Sequence, residues 1–377
     1  MKMKFRHITL MLAALLMWGG CGQNSDDEQG GGPTPQPNEK AIAFSGNLSE
    51  KNVTRAGEVG LENYYKRFKV WAFKDIGTVV NIVMDGYTVK WISNSANTTA
   101  SNSSNWEYVN QQDLGKMEQS IKYWDYSASA YRFFGVAGAS ETNVVSGKYM
   151  PDATTPTSYV VTYTADAYYE ENTPYYSHLW YSEGAGYGKP VQLEFIKPLS
   201  KVRFVFTFED PSQAEETELT GKSFRPSDGG TIKMRGLVSV TYPLSGTASA
   251  ETFAADAEAE GITGFTQDYY DSVTKDEEED KVVSPYLNAD GTPSVLSKIY
   301  TVLPTPSGQS AYAMTVSVNG EPKTTTVPAD YMTWLPGYLY TYIFKIHVDG
   351  SVTIDNVQSA FTPWIEYEKD DHRVHNW

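Results

Sequence analysis

The sequence predicts an all-β protein built from two β-sandwich domains in tandem. It carries 27 tyrosines, 15 phenylalanines and 9 tryptophans, and aromatic side chains pack well on the pleated surface of a sheet. Apolar and polar residues alternate with a period of two in several segments, which is typical of an antiparallel strand with one buried face. The length of 377 residues is about right for two ordinary domains.

The alternating segments follow one another along most of the chain. In order they are Ile42, Phe44 and Leu48; Phe68, Val70 and Ala72; Val202, Phe204, Phe206 and Phe208; and Tyr338, Tyr340, Tyr342, Phe344, Ile346 and Val348. Asn319-Gly320 and Asp349-Gly350 each separate two such segments, and both dipeptides tolerate the positive φ angles of tight hairpins. Residues 113–123 and 254–260 are short helix candidates.

Composition shifts divide the chain into four parts. Residues 1–21 are predicted to be a signal peptide ending in a lipidated cysteine, and residues 22–55 a tether that contains the first strand. Residues 56–195 and 196–377 are the two predicted sandwiches, separated where a glycine-rich stretch gives way to a new strand. Each sandwich is then long enough to bury about two-thirds of its unfolded surface.

The N-terminus has the pattern of an export signal. Lys2, Lys4 and Arg6 precede a short apolar run, which ends at two glycines and Cys21, the single cysteine of the chain. This arrangement resembles the lipobox of bacterial lipoproteins, although Trp18 stands where leucine is usual, and it makes Cys21 the predicted lipidation site. Plain signal-peptidase cleavage is the alternative. The acidic stretch 25–28 resembles a signal for export to the outer face of the outer membrane.

Charge and motifs exclude several classes of function. The net charge of −16 leaves no broad basic face, so the sequence argues against nucleic acid as a partner. Signatures of a serine hydrolase, a zinc protease and a phosphate-binding loop are all missing. His372 and His375 stand near two aspartates at the chain end, which we interpret as a polar terminus. We therefore expect no enzyme activity, no metal and no cofactor.

An aromatic cluster supports an alternative function. Its members could stack against sugar rings, or they could pack at strand edges with their hydroxyls in water. The first possibility keeps a lipid-anchored, surface glycan-binding protein as the alternative. The cluster comprises Tyr175, Tyr176, His178, Trp180, Tyr181 and Tyr187.

Several ordered stretches together resemble the fimbrillin family, the subunits of type V fimbriae on Gram-negative anaerobes. The stretches are residues 42–45 with 52–56, 68–73, 123–128 with 131–134, 195–204, and 334–338 with the tyrosine ladder that follows. The resemblance implies transthyretin-like sandwiches and a lipoprotein precursor exposed on the outer membrane. It also implies cleavage by an arginine-directed protease between Arg55 and Ala56, which makes residues 22–55 a propeptide.

The resemblance further implies assembly into a fimbrium. Its expected partners are other fimbrial subunits, in a homopolymer or a mixed fimbria, and host or bacterial surface ligands if the fimbria is adhesive. If the strand of Ile42, Phe44 and Leu48 fills a groove in its own first domain, cleavage would free it and leave an open edge.

The chain end offers a donor strand for such an edge, because three of its apolar residues, Phe361, Ile365 and Tyr367, share one parity. A head-to-tail contact of this kind does not close on itself and produces a filament. Separately, Ser272 lies in an Asp-Ser-Val tripeptide that fits an O-glycosylation pattern of such anaerobes.

Overall fold

The structure, a computed structural model, describes eleven stretches of the chain, all within one compact unit, Glu39–Trp377. Cys21, Arg55, Ala56, Ser272, Ile365 and Tyr367 lie outside the described residues, as do His372 and His375. The described stretches are residues 40–48, 66–92, 105–111, 118–138, 146–150, 157–213, 217–246, 250–256, 261–266, 294–297 and 299–361.

The regular elements are strands, with a few short 3₁₀ turns between them, so the predicted all-β class is confirmed. None of the described residues forms a helix long and apolar enough to cross a membrane. The strands are β1 (Phe44–Leu48), β2 (Arg67–Ile76), β3 (Val79–Trp91), β4 (Trp106–Glu107), β5 (Ala130–Ala137), β6 (Ser146–Met150), β7 (Ser158–Asp166), β8 (Tyr175–Ser177), β9 (Trp180–Ser182), β10 (Val191–Ile196), β11 (Ser200–Phe208), β12 (Leu219–Pro226), β13 (Ile232–Lys233), β14 (Arg235–Pro243), β15 (Thr252–Asp256), β16 (Gly261–Ile262), β17 (Val295–Leu296), β18 (Tyr300–Val302), β19 (Tyr312–Val318), β20 (Glu321–Val327), β21 (Tyr338–Ile346) and β22 (Val352–Phe361).

An eight-stranded sheet dominates the N-terminal part. Its order is β1-β10-β8-β5-β2-β3-β4, with β9 also paired to β5. β1 and β4, at the two ends of this order, contact each other, so the sheet curls around its inner face. That face carries a core rich in aromatic side chains, including Phe44, Phe68, Trp106, Tyr108 and Phe133.

The central strands of this sheet are buried on both faces. All eight residues of β5 are buried. In β2 the residues from Val70 to Phe73, which point alternately to the two faces of the sheet, are buried as well. A four-stranded sheet, β15-β14-β7-β6, covers the outer face and forms a second core with Trp71, Phe73 and Phe134. The expectation of half-buried strands was therefore wrong here, because a second layer packs where solvent was expected.

This four-stranded sheet joins segments that lie far apart in sequence. β7 pairs with β14 over its whole length, from Ser158↔Pro243 to Asp166↔Arg235. β10 belongs to the eight-stranded sheet and β11 to a five-stranded sheet, so the chain passes from one sheet to the other close to the predicted boundary at residue 195. The β7–β14 pair nevertheless joins strands from the two sides of that boundary. The division into domains 56–195 and 196–377 stays a prediction.

The C-terminal part has its own core between several sheets. A five-stranded sheet has the order β17-β11-β21-β22 with β18 beside β11, and a three-stranded sheet has the order β12-β19-β20. Phe204, Phe224, Trp334 and Tyr342 lie between them, next to the small β13-β16 ribbon. β11 and β21 pair in parallel, and both are buried on both faces. This corrects the expectation of half-buried antiparallel strands, because alternation in the sequence indicates neither the direction of a partner strand nor a second layer that covers the polar face.

Local turn predictions are confirmed. Asn319 and Gly320 have φ of 52° and 86° and connect β19 directly to β20. Asp349-Gly350 lies in the connection between β21 and β22, where Gly350 has φ of 76°. The helix candidates were wrong wherever they are described. Residues 254–256 belong to β15 and pair with β14, and residues 118–123 are not helical.

Candidate functional site

The strand around Ile42, which carries the predicted propeptide face, is hydrogen-bonded on both sides of residue 43. Before that residue it faces the segment 122–124. There the Ile42 N–H donates to the Lys122 carbonyl at 2.8 Å, and the Trp124 N–H donates to the Lys40 carbonyl at 3.0 Å. The strand then changes partner and continues into the main sheet.

The new partner is β10. The Val191 N–H donates to the Ala43 carbonyl at 2.7 Å, and β1 then runs parallel to β10 from Phe44↔Val191 to Leu48↔Phe195. β1 is the terminal strand of the sheet order, so it covers a β10 edge that would otherwise be open. The sheet is completed by a strand close to the N-terminal limit of the described chain.

Two side chains anchor this strand in the inner core. Ile42 and Phe44 are fully buried, as the alternation predicts, whereas the side chain of Leu48 lies outside the described part. The Phe44 ring meets three other rings edge-on, with centroid distances of 5.9 Å to Phe68, 5.8 Å to Tyr108 and 5.9 Å to Phe133. Burying two side chains of this kind stabilises by roughly 3–6 kcal/mol, at about 1.5–3 kcal/mol each.

The buried hydroxyl of Tyr108 forms hydrogen bonds with the backbone of the strand and of the neighbouring segment. Its Oη lies 3.1 Å from the Ile42 carbonyl and 3.2 Å from the Lys122 carbonyl, and it accepts the Lys122 N–H at 3.0 Å. Burial raises the pKa of Tyr108 well above its ordinary range, so the hydroxyl keeps its proton and remains a donor. The sequence patterns did not reveal this residue, because nothing near it in sequence marks it.

Most of the other predicted site residues lie outside the part of the chain that the structure describes. Arg55 and Ala56 follow β1 in sequence but lie outside the described residues. Phe361 is the last residue of β22, where its backbone pairs with Tyr338, while Ile365 and Tyr367 lie beyond it. The site therefore consists of the strand 40–48 and the groove that receives it.

The aromatic cluster does not form one platform. Tyr175 is buried in the inner core, whereas Tyr176 is buried in the outer core. Trp180 meets Phe133 edge-on at 5.4 Å, and Tyr187 stacks on Trp124 at 5.2 Å. Burial raises the pKa of Tyr187 to about 12. Most of these rings are engaged in packing, which agrees with the strand-edge interpretation.

A buried ion pair lies in the main sheet, and no sequence pattern indicated it. Arg132 in β5 is completely buried; its Nη1 lies 2.7 Å from Asp75 Oδ2, and its Nη2 donates to the Gly246 carbonyl at 2.6 Å. The guanidinium carbon lies over the ring of Tyr181, 5.1 Å from the centroid of that ring. Arg132 thus connects the main sheet to the turn after β14. Among the described residues, no group of three or more His, Cys, Asp or Glu could hold a metal ion.

His178 is bound to a carboxylate on a distant segment. Its Nδ1 lies 2.7 Å from Glu251 Oε1, and the Leu179 N–H donates to Glu251 Oε2 at 2.9 Å. Burial by itself would raise the pKa of Glu251, but the hydrogen bonds from His178 and Leu179 outweigh it and hold that pKa below its ordinary value. The carboxylate therefore stabilises the fold in its ionised form.

We expect this contribution to be present above the ordinary pKa of a glutamate and to be lost as pH falls through the depressed pKa of the folded state. Urea unfolding of the wild type and of Glu251→Gln should differ at neutral pH and converge in acid. Glu321→Gln, on an exposed strand, is the matched control. A difference between wild type and Glu251→Gln that is constant with pH would contradict this linkage.

Comparisons with known proteins give weak likenesses only. No family model and no curated protein matches the chain. Among solved structures, a candidate cell adhesion protein from Bacteroides uniformis is 14% identical, with 87% of this chain and 99% of that chain covered and a TM-score of 0.38. One from Bacteroides ovatus is 12% identical, with 86% and 98% covered and a TM-score of 0.37. A fimbrial assembly protein from Parabacteroides distasonis is 11% identical, with 84% and 99% covered and a TM-score of 0.33. Identities and TM-scores this low carry no argument about what the chain does.

Proposed function

We propose that this chain is a structural subunit of a cell-surface fimbria, exported as a lipoprotein on Cys21 and matured by a cut between Arg55 and Ala56. In this proposal the strand 40–48 leaves its groove after the cut, and a strand from another copy takes its place. The subunit performs no catalysis. Its partners are the protease, the outer membrane while the lipid is attached, other subunits, and ligands on host or bacterial surfaces.

The observation that carries the proposal is the position of β1 in the sheet. β1 is terminal in the strand order, and the chain from Leu48 to the next described strand, β2, passes through Arg55. A cut there would separate the strand covalently from the body of the protein, leaving only hydrogen bonds and the burial of Ile42 and Phe44 to retain it. Those are the interactions that an incoming strand of similar alternation would replace.

The chain end supports the second half of the proposal. β22 ends at Phe361 and the chain continues to Trp377, with Ile365 and Tyr367 at the same parity. The 16 residues beyond β22 reach about 50 Å if extended, at roughly 3.3 Å per residue. A tail of that length is sufficient to enter a neighbouring subunit.

The proposal is tested by the assembly of the purified chain, residues 22–377, after treatment with an arginine-directed protease. Unheated gels should show ladders of high mass for the wild type. Arg55→Ala should stay monomeric, because the strand 40–48 remains tethered. Arg55→Lys should also stay monomeric, since it keeps the charge but is not cut by such a protease.

Arg225→Ala, which changes an exposed arginine elsewhere, should polymerise like the wild type. Deletion of residues 362–377 spares β22 and should stop growth. Ladders formed by that truncated chain would place the donor strand elsewhere. A wild type that is cut and still remains monomeric would instead favour the lipid-anchored glycan-binding alternative.

A further inference from the structure

The strand 40–48 is held unequally along its length. Over residues 40–43 its backbone is hydrogen-bonded on both edges, to the segment 122–124 on one edge and, through the Ala43 carbonyl, to the Val191 N–H on the other. Over Phe44–Leu48 it pairs with β10 alone among the described strands. Residues 40–43 are therefore the part of the strand that is hardest to remove.

A side chain is inserted into the pairing with the segment 122–124. Ala41 and Tyr123 form an antiparallel bridge, so Ile42 stands opposite Lys122. The Ile42 N–H donates to the Lys122 carbonyl, and a continuous ladder would direct the Lys122 N–H at the Ile42 carbonyl. That N–H donates instead to Tyr108 Oη at 3.0 Å, and Tyr108 Oη lies 3.1 Å from the Ile42 carbonyl oxygen. The hydroxyl thus connects the two segments, and we call this contact the Tyr108 bridge.

Tyr108 is positioned by contacts that do not involve the strand. Its N–H donates to Glu107 Oε1 at 2.8 Å, and its carbonyl accepts a hydrogen bond from Gln119 Nε2 at 2.6 Å. The same Gln119 side chain is hydrogen-bonded to the N–H and the carbonyl of Thr88 in β3. The body of the protein therefore fixes the hydroxyl at the groove, where it can retain the strand.

The contacts that retain the strand are independent of the chain beyond it. Ile42 and Phe44 are fully buried, and the Tyr108 ring also meets the Phe44 ring at 5.8 Å. All of these contacts are made by residues before Leu48, so a cut at Arg55 removes none of them. Loss of the strand would instead expose an apolar groove and an unpaired β10 edge.

We propose that the cut at Arg55 does not by itself release the strand, and that the N-terminal fragment, residues 22–55, stays bound through residues 40–43 and the Tyr108 bridge until an incoming strand displaces it. The inference rests on the proposed function for the cut and adds regulation of the same site. Displacement begins at Leu48, which the cut frees and which β10 pairs on one edge, and it ends at Ile42. Cutting and assembly are thus separate steps, and the groove stays covered between them.

The first test asks whether the fragment is retained. Residues 22–377 are cut with an arginine-directed protease and passed at once over a sizing column without denaturant. The fragment 22–55 should elute with the body, residues 56–377, and denaturing mass spectrometry should find both in one peak. Arg55→Ala supplies the uncut reference. A wild-type fragment that separates from the body on this column would overturn the proposal.

The second test measures the Tyr108 bridge. An excess of a labelled synthetic peptide of residues 38–50 is added to the cut protein, and the rate at which it replaces the fragment is followed. Tyr108→Phe should raise this rate about tenfold, because it leaves the buried Ile42 carbonyl without the hydroxyl. Tyr342→Phe is the matched control, since Tyr342 is also fully buried and its hydroxyl donates to the Tyr331 carbonyl at 2.7 Å in the C-terminal core. Equal rates for the two variants would exclude the Tyr108 bridge as the retaining contact.

A third test leaves the body of the protein unchanged, so it decides the matter even if Tyr108→Phe does not fold. A peptide of residues 44–50 lacks the stretch that is bonded on both edges, together with the buried Ile42. It should displace the fragment at least about tenfold less effectively than the peptide 38–50 at the same concentration. Equal displacement by the two peptides would overturn the assignment of retention to residues 40–43.

These results can be distinguished from the test of the fimbrial function. A retained fragment on a chain that never forms ladders would support the retention and contradict the fimbrial function. A fragment that is lost at once from a chain that does form ladders would overturn the retention and leave the fimbrial function standing. A wild type that the protease does not cut at Arg55 would contradict both.

Discussion

Replacing Phe44 with alanine is expected to lower the free energy of unfolding by roughly 3–5 kcal/mol, the usual cost of removing a buried phenylalanine ring. The ring is fully buried and touches Phe68, Tyr108 and Phe133, which belong to three different parts of the inner core. Those neighbours are held by the curled sheet, so they cannot collapse readily into the space. Chemical denaturation of the purified variant measures the loss.

The matched control is Ser45→Ala, one residue further along the same strand and pointing to the other face, for which we expect little change. Hydrogen exchange at the Val191 amide adds a local readout, because that N–H donates to the Ala43 carbonyl. If β1 detaches without global unfolding, exchange at Val191 should accelerate in Phe44→Ala while exchange in β5 does not. A loss below about 1 kcal/mol would show that Phe44 is not what closes the groove.

Removing the carboxylate of Asp75 is expected to be about as damaging, at roughly 3–5 kcal/mol, although Asp75 is a polar residue near the end of its strand. The reason is the charge that remains. Arg132 is completely buried, and without Asp75 the contacts left to its guanidinium among the described residues are the Gly246 carbonyl and the ring of Tyr181. A buried charge without its counter-ion destabilises more than the intact pair stabilises.

A double-mutant cycle measures the contribution of the ion pair to the stability of the fold. Asp75→Ala should cost much more than Asp330→Ala, an exposed aspartate in the C-terminal part. The double variant Asp75→Ala with Arg132→Met should recover part of the loss, because no unpaired charge then stays in the interior. Equal costs for Asp75→Ala and Asp330→Ala would mean that the ion pair does not support the fold.

Much of the local structure could be predicted because it depends on neighbours in sequence. The strands around Phe204 and Tyr342 and the Asn319-Gly320 turn were predicted correctly for this reason, although both strands are buried on both faces and not on one. Partners distant in sequence were not predictable. Nothing in the alternation indicates that β11 and β21 run parallel, or that β7 meets β14.

The same distinction between local neighbours and distant partners applies to the residues of the candidate site. The face shared by Ile42 and Phe44 was visible in the sequence, because period-two alternation marks a buried strand face. Tyr108 was not, because its role depends on carbonyls of other segments, one of them 66 positions away. From the sequence alone, Arg132 would be expected to point to solvent, because it is a charged residue between two aromatic ones. Its burial arises from a turn 114 positions further on.

The pairing of β7 with β14 makes the outer layer depend on both halves of the chain. β7 ends at Asp166, and its partner strand begins at Arg235, 69 positions later. A chain that ends before Pro243 lacks part of β14, so Trp71, Phe73 and Phe134 have no complete outer layer to pack against. Such a truncated chain would expose aromatic side chains that the full chain buries, which would make it prone to aggregation and a substrate for chaperones or proteases.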